Sequence, residues 1–500
     1  MIKELQKKWL WALISITVSV CVAYSISHLG LATGVVLLLL PFMLLYVVVS
    51  FNKPIVTLYA LFFYSVFISA FSRYILPESI PPGIFVDALI MLACLLLIFS
   101  GMAGKVKWRN GKDTPFLVLT IWLLYCILSL FNPGSPGVEP WFITIRPHLY
   151  MIFTIPLFCI LLKAKHVKTF LILWGVFSLI LSLKGFIQLQ IGLDAAEKKD
   201  LAEMVSTHLL WGKLRVFSLC SDAGIFGAAQ AYSAVLGLIL FLVSKTTRQK
   251  AFFLVVAAAS IYGMFISGTR GSIFILFGGA LMYCLLVKKV KLLLLCLFFA
   301  GGFFCFMRFT HIGDGVYAVY RMRSAFNPAE DASFQVRKNN QRILKSYLAS
   351  RPFGDGLGSM GLGPRGSVLS SIPYDSGYVL IWGDMGVVGL CLYIGMFLFF
   401  MIKGTLAVWF KIKNEWFRGV LIAFISGLGG LLIANYGNSI LLRPTLNVIT
   451  FFGIALIFVA PRLDQEFAEI IPDADIKTGK NNTTLVKNNP IPDRKSLIRK

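Results

Sequence analysis

The chain has 500 residues, of which 57% are hydrophobic and only 14% are charged. A soluble domain carries about 25% charged residues, so this chain has too few charges to cover a surface that faces water. The composition therefore excludes soluble, fibrous and disordered proteins and predicts a polytopic membrane protein. The nine Cys include no CxxC pair and the five His are widely separated, so we expect no disulfide framework, no zinc site and no other metal centre.

Apolar runs long enough to cross a bilayer, about 20 residues each, follow one another along most of the chain. We predict an all-α transmembrane bundle over residues 1–460 with about 12–14 spans, approximately at 9–28, 31–50, 54–72, 84–101, 115–131, 143–162, 169–190, 222–244, 251–267, 272–287, 292–309, 376–402, 419–435 and 447–460. The polar segment 461–500 is expected to be a disordered tail.

Positive charges in the short loops predict the orientation of the bundle, because such loops stay on the cytoplasmic side. With these spans, one set of loops together with the N-terminus carries 18 Lys and 3 Arg, among them Lys53, Lys105, Lys163, Lys245, Lys288 and Lys413. We therefore expect both termini on the cytoplasmic side of the membrane. The net charge of +24 partly reflects this topology, and no soluble basic domain exists to bind nucleic acid.

The opposite set of loops and span ends reverses this preference, with 12 Arg against 6 Lys. Arginine presents a planar fork that binds phosphate oxygens in pairs, and it remains charged when it is desolvated. One interpretation is an outward-facing site for a ligand that carries a pyrophosphate. The alternative is that single arginines pair with carboxylates or helix ends.

The largest outward loop spans about residues 310–375. The sequence Asn327-Pro328-Ala329-Glu330 is typical of a helix start, and the following residues predict a short amphipathic helix with Val336, Ile343, Leu344 and Tyr347 on its apolar face. This helix should stop before Pro352. Six glycines from Gly354 to Gly366 then form either a stretch whose backbone can approach a ligand or only a mobile turn.

Three stretches in the best-matched region, about 205–400, together resemble the superfamily of O-antigen ligases and polysaccharide polymerases. They are SGTRGS at 267–272, QRILKSYLASRPFGDGLGSMG at 341–361 and YDSGYVLIWGDMGVVGL at 374–390. The resemblance implies a glycosyltransferase without cofactor that acts on polyprenyl-pyrophosphate-linked oligosaccharides at the outer face of the membrane. It also implies membrane lipid as a partner, and a chain-length regulator is a further candidate.

The resemblance also implies candidate site residues. Arg215 and Arg270 are similar to the arginines that hold the pyrophosphate, and Arg342 is similar to the arginine of the loop helix. Arg146, Arg351 and Tyr378 are further candidates for substrate binding. Fixed arginines can stabilise a pyrophosphate leaving group without a metal ion.

The third stretch departs from the ligase pattern, because Tyr374-Asp375 stands where ligases have His. This favours the polymerase branch and makes Asp375 the candidate catalytic base. Asp375 could instead be the N-cap of the following helix.

Two alternatives to a polymerase stay open. A ligase would move finished glycan to a lipid or protein acceptor. A lipid-linked oligosaccharide flippase would be expected to place charges along a central cavity, whereas here the charges well inside the spans are few and cations gather at the outer face.

Overall fold

The fold was analysed in a computed structural model, which describes residues 31–210, 212–313, 315, 317–323, 326, 332–364, 366–373 and 376–470, with positions 17, 19, 20, 24 and 27. Its long helices are α1 (Leu31–Asn52), α2 (Ile55–Tyr74), α3 (Gly83–Met102), α4 (Phe116–Leu128), α5 (Val138–Leu161), α6 (Ala164–Gln190), α9 (Ala223–Val243), α10 (Thr247–Ile266), α11 (Ser272–Val287), α12 (Val290–Phe309), α17 (Gly377–Phe410), α18 (Glu415–Ala434) and α19 (Asn447–Ile470).

Shorter elements connect these helices. They are α7 (Ala195–Glu203), α8 (Val205–His208), the strands β1 (Leu209–Leu210) and β2 (Lys213–Leu214), and, in the long loop, α13 (Tyr317–Arg323), α14 (Ala332–Leu348), α15 (Ser359–Leu362) and α16 (Val368–Ser371). Two short 3₁₀ helices, Trp108–Asp113 and Ser129–Phe131, precede and follow α4.

The all-α membrane bundle predicted from the apolar runs is confirmed. Ten helices within the described ranges are long and apolar enough to cross a membrane, and three shorter apolar helices accompany them. Lipid offers no hydrogen bonds, so these apolar runs must satisfy their backbone groups internally as helices. The first predicted span, 9–28, lies almost entirely outside the described residues.

The core of the bundle lies around α9, α18 and α19, whose residues are mostly buried, whereas α12 is almost wholly exposed at the periphery. Small residues allow the close approach of these helices. At Gly430 of α18, for example, an added Cβ would collide with the backbone carbonyl of Ile275 in α11. Such close contact replaces the hydrophobic effect as the main attraction between helices in lipid.

The two ends of the bundle differ in the type of basic residue that they carry. The arginine end carries Arg73, Arg215, Arg270, Arg351 and Arg443, and the lysine end carries Lys53, Lys105, Lys163, Lys245, Lys288 and Lys413. The predicted separation of the two kinds of loop is therefore present in the fold.

The last helix extends further than the sequence predicted. The tail was expected from residue 461, whereas α19 continues through Pro461 to Ile470. The carboxylate of Asp464 accepts hydrogen bonds from the backbone N–H groups of Lys413 and Asn414, at 3.0 and 2.9 Å. Arg462 donates to the carbonyl oxygens of Cys159 and Leu162. These contacts make residues 461–470 part of the bundle; residues 471–500 lie outside the described chain.

The amphipathic helix of the long loop is α14, but its buried face differs from the prediction. Leu344 and Leu348 are buried and pack with Met360, whereas Val336 and Ile343 are exposed. The helix ends at Leu348, before Pro352, as expected. The predicted start at 327–330 lies outside the described residues.

Candidate functional site at the arginine end

A two-stranded hairpin positions Arg215. The strands β1 and β2 pair antiparallel, with Leu209 opposite Leu214 and Leu210 opposite Lys213. Gly212 in the turn has φ of 73°, a conformation that glycine adopts easily. The backbone N–H of Arg215 then donates to the carbonyl of His208 at 2.8 Å. The hairpin thus returns the chain and places Arg215 beside the start of α9.

Arg215 contacts Thr269, the residue directly before Arg270. Arg215 donates from Nη2 to Thr269 Oγ1 at 3.1 Å and from Nη1 to the carbonyl of Thr207 at 2.8 Å. Thr269 Oγ1 in turn donates to the carbonyl of Ala223, the first residue of α9, at 2.7 Å. Arg270 is the next residue and is half-buried. Two arginines that are 55 positions apart in the chain are therefore brought to the same helix end.

A cavity of about 440 Å³ opens beside this helix end. Its walls come from the segment before α9 and its first turn, from Pro373, four residues before the start of α17, and from the loop between α18 and α19. The lining residues are Ser221, Asp222, Gly224, Ile225, Pro373, Asn438, Ser439, Ile440 and Arg443. We call this space the arginine-end cavity.

Asn438 connects the cavity to the Arg270 segment. A Cβ added to Gly224 would lie 3.5 Å from Asn438 Nδ2, and one added to Gly271 would lie 3.4 Å from the same atom. Gly271 directly follows Arg270, so the backbone of the Arg270 segment lies near the cavity wall. The N-terminal ends of α9 and α11 point to this place and add partial positive charge, which favours an anionic ligand.

His208 holds the start of α9 as a neutral acceptor. Its Nε2 accepts a hydrogen bond from Ala223 N–H at 3.0 Å, and its Nδ1 lies 2.9 Å from Thr207 Oγ1. Burial, followed by the charge of Arg215, lowers the pKa of His208. Because both ring nitrogens have partners, His208 acts here as a cap and is a poor candidate for a catalytic base.

Asp222, Asn438 and Arg443 are lining residues to which the sequence analysis gave no individual role. Asp222 is the N-cap of α9, where its Oδ1 accepts from Ile225 N–H at 2.9 Å. The sequence Ser-Asp-Ala-Gly immediately before an apolar run is a recognisable capping signal. Asn438 and Arg443 carry no such local signal, because only the fold brings residues 221–225 and 438–443 together.

The loop that leads from Arg215 to α9 is fixed by polar side chains from two other helices. Arg73, only 1% exposed, donates to Asp200 and to the carbonyls of Ser218 and Cys220. Gln188 of α6 accepts from Ser218 N–H at 2.7 Å. Arg73 is thus an arginine of the arginine end whose observed contacts are structural.

Two other predicted substrate-binding arginines have carboxylate partners. Arg146 of α5 forms a salt bridge of 2.5 Å with Asp87 of α3. Arg351 forms one of 2.7 Å with Asp355, and this hydrogen bond raises the pKa of Arg351. Both arginines therefore pair with carboxylates, which is the structural alternative that the sequence left open.

The remaining predicted residues fall in different surroundings. Arg342 is exposed on α14. Tyr378 donates its hydroxyl hydrogen to the carbonyl of Leu432 at 2.6 Å, which ties α17 to α18. Asp375 lies outside the described residues, but the N-cap of α17 is Ser376, whose Oγ accepts from Val379 N–H at 3.4 Å.

The start of α17 is anchored to the end of α18. The N–H of Gly377 donates to the carbonyl of Asn435 at 2.9 Å, and a Cβ at Gly377 would collide with the Asn435 side chain. Pro373, which lies in the cavity wall, is four residues away along the chain. The described residues on either side of positions 374 and 375 are therefore Pro373 in the cavity wall and Ser376, which precedes the anchored Gly377.

Every residue of the glycine-rich stretch from Gly354 to Met360 is buried, and none of them lines the arginine-end cavity. This stretch fills a break in α17 at Gly386, whose φ is 66°. In an unbroken helix Val388 N–H would donate to the carbonyl of Asp384. Instead Val388 donates to Pro352 at 3.1 Å, and Gly356 N–H donates to Asp384 at 2.7 Å.

The Asp384 side chain completes this junction. It is fully buried, and its carboxylate accepts from Met360 N–H at 2.8 Å and from Gly358 N–H at 3.2 Å. The glycines are required because the backbones touch, as at Gly354, where a Cβ would lie 2.5 Å from Gly386 N. Backbone donors that were expected to face a ligand are therefore occupied by Asp384.

No group of three or more His, Cys, Asp or Glu side chains with the spacing of a metal site occurs among the residues that the structure describes.

Residues 253–394 match the family model described as O-antigen ligase. The match runs from α10 into α17 and includes Arg270, the long loop and the Asp384 junction. This match supports the resemblance of the three motifs to the superfamily of O-antigen ligases and polysaccharide polymerases. Together with the apolar helices, it supports a multi-pass membrane enzyme of the ligase or polymerase type. A search of curated proteins gave no significant match.

Proposed function

We propose that the protein is a polysaccharide polymerase that joins lipid-linked oligosaccharide repeat units. The observation that carries the proposal is the contact of Arg215 with Thr269, the residue directly before Arg270, near the arginine-end cavity. Two arginines at positions close to two helix N-termini favour a doubly charged anion. A polyprenyl-pyrophosphate donor has its phosphates between the lipid and the sugar, at the depth where the helices end.

The reaction that we propose is a displacement at the anomeric carbon of the donor. A hydroxyl oxygen of the acceptor sugar forms the new glycosidic bond, and the bond from the anomeric carbon to the pyrophosphate oxygen breaks. The polyprenyl pyrophosphate leaves with the electron pair. Arg215 and Arg270 stabilise the charge that develops on it, so the chemistry needs no resident metal ion or other cofactor.

The proton of the acceptor hydroxyl goes to Asp375 in this proposal. Pro373 of the cavity wall and the anchored Gly377 bracket this residue in the chain. The capping role that competed with catalysis belongs to Ser376. Asp384 is unsuitable as the base because its carboxylate already holds the glycine-rich turn.

The other candidate residues receive different roles. We propose that exposed Arg342 binds the substrate from α14. For Arg146, Arg351 and Tyr378 the observed partners favour positioning of α5, the glycine-rich turn and α17, respectively, over direct substrate contact.

For the cellular setting we propose a bacterial plasma membrane with both termini in the cytoplasm and the arginine end on the outer face. The lysine-rich loops support this orientation. The partners would be the lipid-linked oligosaccharide, the surrounding membrane lipid and a chain-length regulator. Nucleic acid is not among them.

A ligase remains the second candidate, because the matching family model is described as O-antigen ligase. Purified protein in liposomes should be given a lipid-linked repeat unit as the sole sugar substrate. A polymerase makes a ladder of longer glycans under these conditions. A ligase makes none, and forms product only after a lipid acceptor such as the lipid A core is added. The second result would replace the polymerase assignment.

A further inference from the structure

A second and larger cavity lies at the lysine end, on the side of the bundle opposite to the proposed active site. It has a volume of about 570 Å³ and lies where α9, α11 and α17 end and α18 begins. Its lining residues are Leu242, Val243, Lys245, Tyr283, Leu286, Val287, Lys288, Val408, Trp409, Glu415, Trp416, Arg418, Gly419 and Ile422. None of these residues has a part in the glycosyl transfer proposed above.

Three cations line this cavity against one carboxylate. They are Lys245, Lys288 and Arg418, and the carboxylate is Glu415. Within the described part of the chain, no salt bridge joins any of the three cations to a carboxylate. The site therefore has a positive excess that its own side chains do not neutralise.

The position of Lys288 is fixed by the backbone and by an aromatic ring. Lys288 ends α11 in the left-handed conformation, with φ of 57°. Its Nζ lies 4.2 Å from the centre of the Trp409 ring. Trp409 is itself held by a hydrogen bond of 3.0 Å from its Nε1 to the carbonyl of Leu286. A cation over a tryptophan face keeps its N–H groups free for a second, anionic partner.

The rest of the lining is aliphatic. The cavity extends into the apolar belt of the bundle along Leu242, Val287 and Ile422. The side chain of Leu242 is exposed, at 58%. Tryptophan and basic residues beside such a surface are typical of the boundary between headgroups and acyl chains. An occupant that matches both parts must carry an anion at one end and a hydrocarbon chain at the other.

We propose that this cavity binds an anionic phospholipid, with its phosphate at Lys245, Lys288 and Arg418 and one acyl chain along Leu242 and Ile422. Basic pockets between transmembrane helices on the cytoplasmic side bind such headgroups in this way. Free phosphate would leave the aliphatic wall uncovered. The glycan donor is excluded by position, because Arg215 and Arg270 lie at the other end of the bundle.

The test uses the full-length protein in detergent, with lipid binding followed by native mass spectrometry. Phosphatidylglycerol should bind, whereas phosphatidylcholine with the same chains and free glycerol phosphate should not. The triple variant Lys245→Gln, Lys288→Gln, Arg418→Gln should bind phosphatidylglycerol about a hundredfold more weakly, since each basic residue near the surface contributes about fivefold. Lys288→Arg should bind normally, because it retains the charge and the stacking.

A matched control removes the same charges elsewhere on the lysine end. Lys107, Arg109 and Lys112 are also two lysines and one arginine, and all three are exposed. Their triple glutamine variant should bind phosphatidylglycerol like the parent protein. Equal loss in both triple variants would overturn the proposal, as would equal binding of phosphatidylcholine or of free glycerol phosphate.

The occupant in membranes can be identified directly. A photo-crosslinking amino acid in place of exposed Leu242 should yield an adduct with the mass of an anionic phospholipid after irradiation in intact membranes. An adduct with residues 471–500 of the chain, or with another polypeptide, would overturn the proposal. These readouts need no glycosyl transfer, so they stand even if the assignment as a polymerase fails.

Discussion

The carboxylate of Asp384 accepts a hydrogen bond of 2.8 Å from the backbone N–H of Met360, 24 residues earlier in the chain. It also accepts one of 3.2 Å from Gly358 N–H. Through these bonds a membrane helix holds the turn that follows α14. The turn also carries Asp355, which receives hydrogen bonds from Tyr347 of α14 and from Arg351. The position of Arg342, which is exposed on α14, therefore depends on a buried carboxylate.

We expect Asp384→Asn to lower the melting temperature and to abolish the polymer. The amide keeps one acceptor oxygen, but its NH₂ group faces a backbone donor, and a hydrogen bond to a charged group contributes about 1.5–3 kcal/mol. Asp464→Asn is the matched control, since Asp464 also accepts from two backbone N–H groups but at the lysine end. It should lower the melting temperature similarly while activity per folded molecule is retained. Equal loss of activity in both variants would remove the positioning role of Asp384.

Arg215 and Arg270 should both be essential for activity, and lysine should not fully replace either of them. Arg215→Ala and Arg270→Ala should each reduce the rate by about two to four orders of magnitude, because each removes two charge-assisted hydrogen bonds from the transition state. Lysine at either position should restore only part of the rate, since it lacks the bidentate fork. The measurement is the rate of ladder formation by reconstituted protein.

Arg248→Ala is the control for these variants, because Arg248 is an exposed arginine at the lysine end. It should make polymer at the parent rate. The double variant of Arg215 and Arg270 should lose less than the sum of the two single losses, because both residues act on one pyrophosphate. Near-parent rates in both single alanine variants would contradict the pyrophosphate assignment.

The helices and the different basic residues of the two ends could be predicted from the sequence, because both are local properties of apolar runs and loops. The proximity of Arg215 to the Thr269-Arg270 segment was implied by the resemblance alone. The junction at Gly386 was not predicted. When a turn from another part of the chain packs into a broken helix, glycines are the only local sequence signal. The pairing of Arg146 with Asp87 was missed for a similar reason, since the two lie on separate helices. No local sequence signal indicated that the loop between α18 and α19 forms part of the cavity wall.

Activity should fall in acid through protonation of His208. Its Nε2 must be neutral to accept from Ala223 N–H, and its pKa lies below the usual 6.5. The folded state therefore binds this proton less readily than the unfolded state. The stabilisation is complete above about pH 6.5 and is lost as the pH falls through the lower pKa of the folded protein.

His208→Gln should remove this part of the pH dependence, since the glutamine Oε1 can accept from the same N–H and does not titrate. Rates and melting temperatures measured between about pH 5 and about pH 8 should fall less steeply in acid for the variant than for the parent. Identical acid profiles would show that His208 does not set the limit.

The orientation of the bundle can be tested by labelling single cysteines in intact cells, in a background without the nine native cysteines. Ser350→Cys, exposed after α14, should react with a membrane-impermeant maleimide added from outside. Thr247→Cys, exposed at the lysine end, should react only after the cells are permeabilised. Ser359 in the same loop is unsuitable because it is buried. The reverse labelling pattern would invert the proposed orientation.

The last prediction separates catalysis from capping at the start of α17. An acceptor hydroxyl is a poor nucleophile unless a base removes its proton, and such help contributes about 10²–10⁴-fold to the rate. Asp375→Asn keeps the size of the side chain but removes the proton acceptor. We expect this variant to fold and to bind the lipid-linked donor while its polymer yield falls by that factor. Donor binding and ladder formation should be measured on the same preparation.

Two further variants show whether the loss is specific. Ser376→Ala removes the observed N-cap of α17, which should cost about 1 kcal/mol of stability and leave the chemistry intact.

Asp222→Asn tests the carboxylate that the structure places in the cavity wall. Asparagine caps a helix about as well as aspartate, so Asp222→Asn should retain the cap and the polymer if Asp375 is the base. A loss of polymer with Asp222→Asn, alongside normal polymer with Asp375→Asn, would transfer the role of base to Asp222.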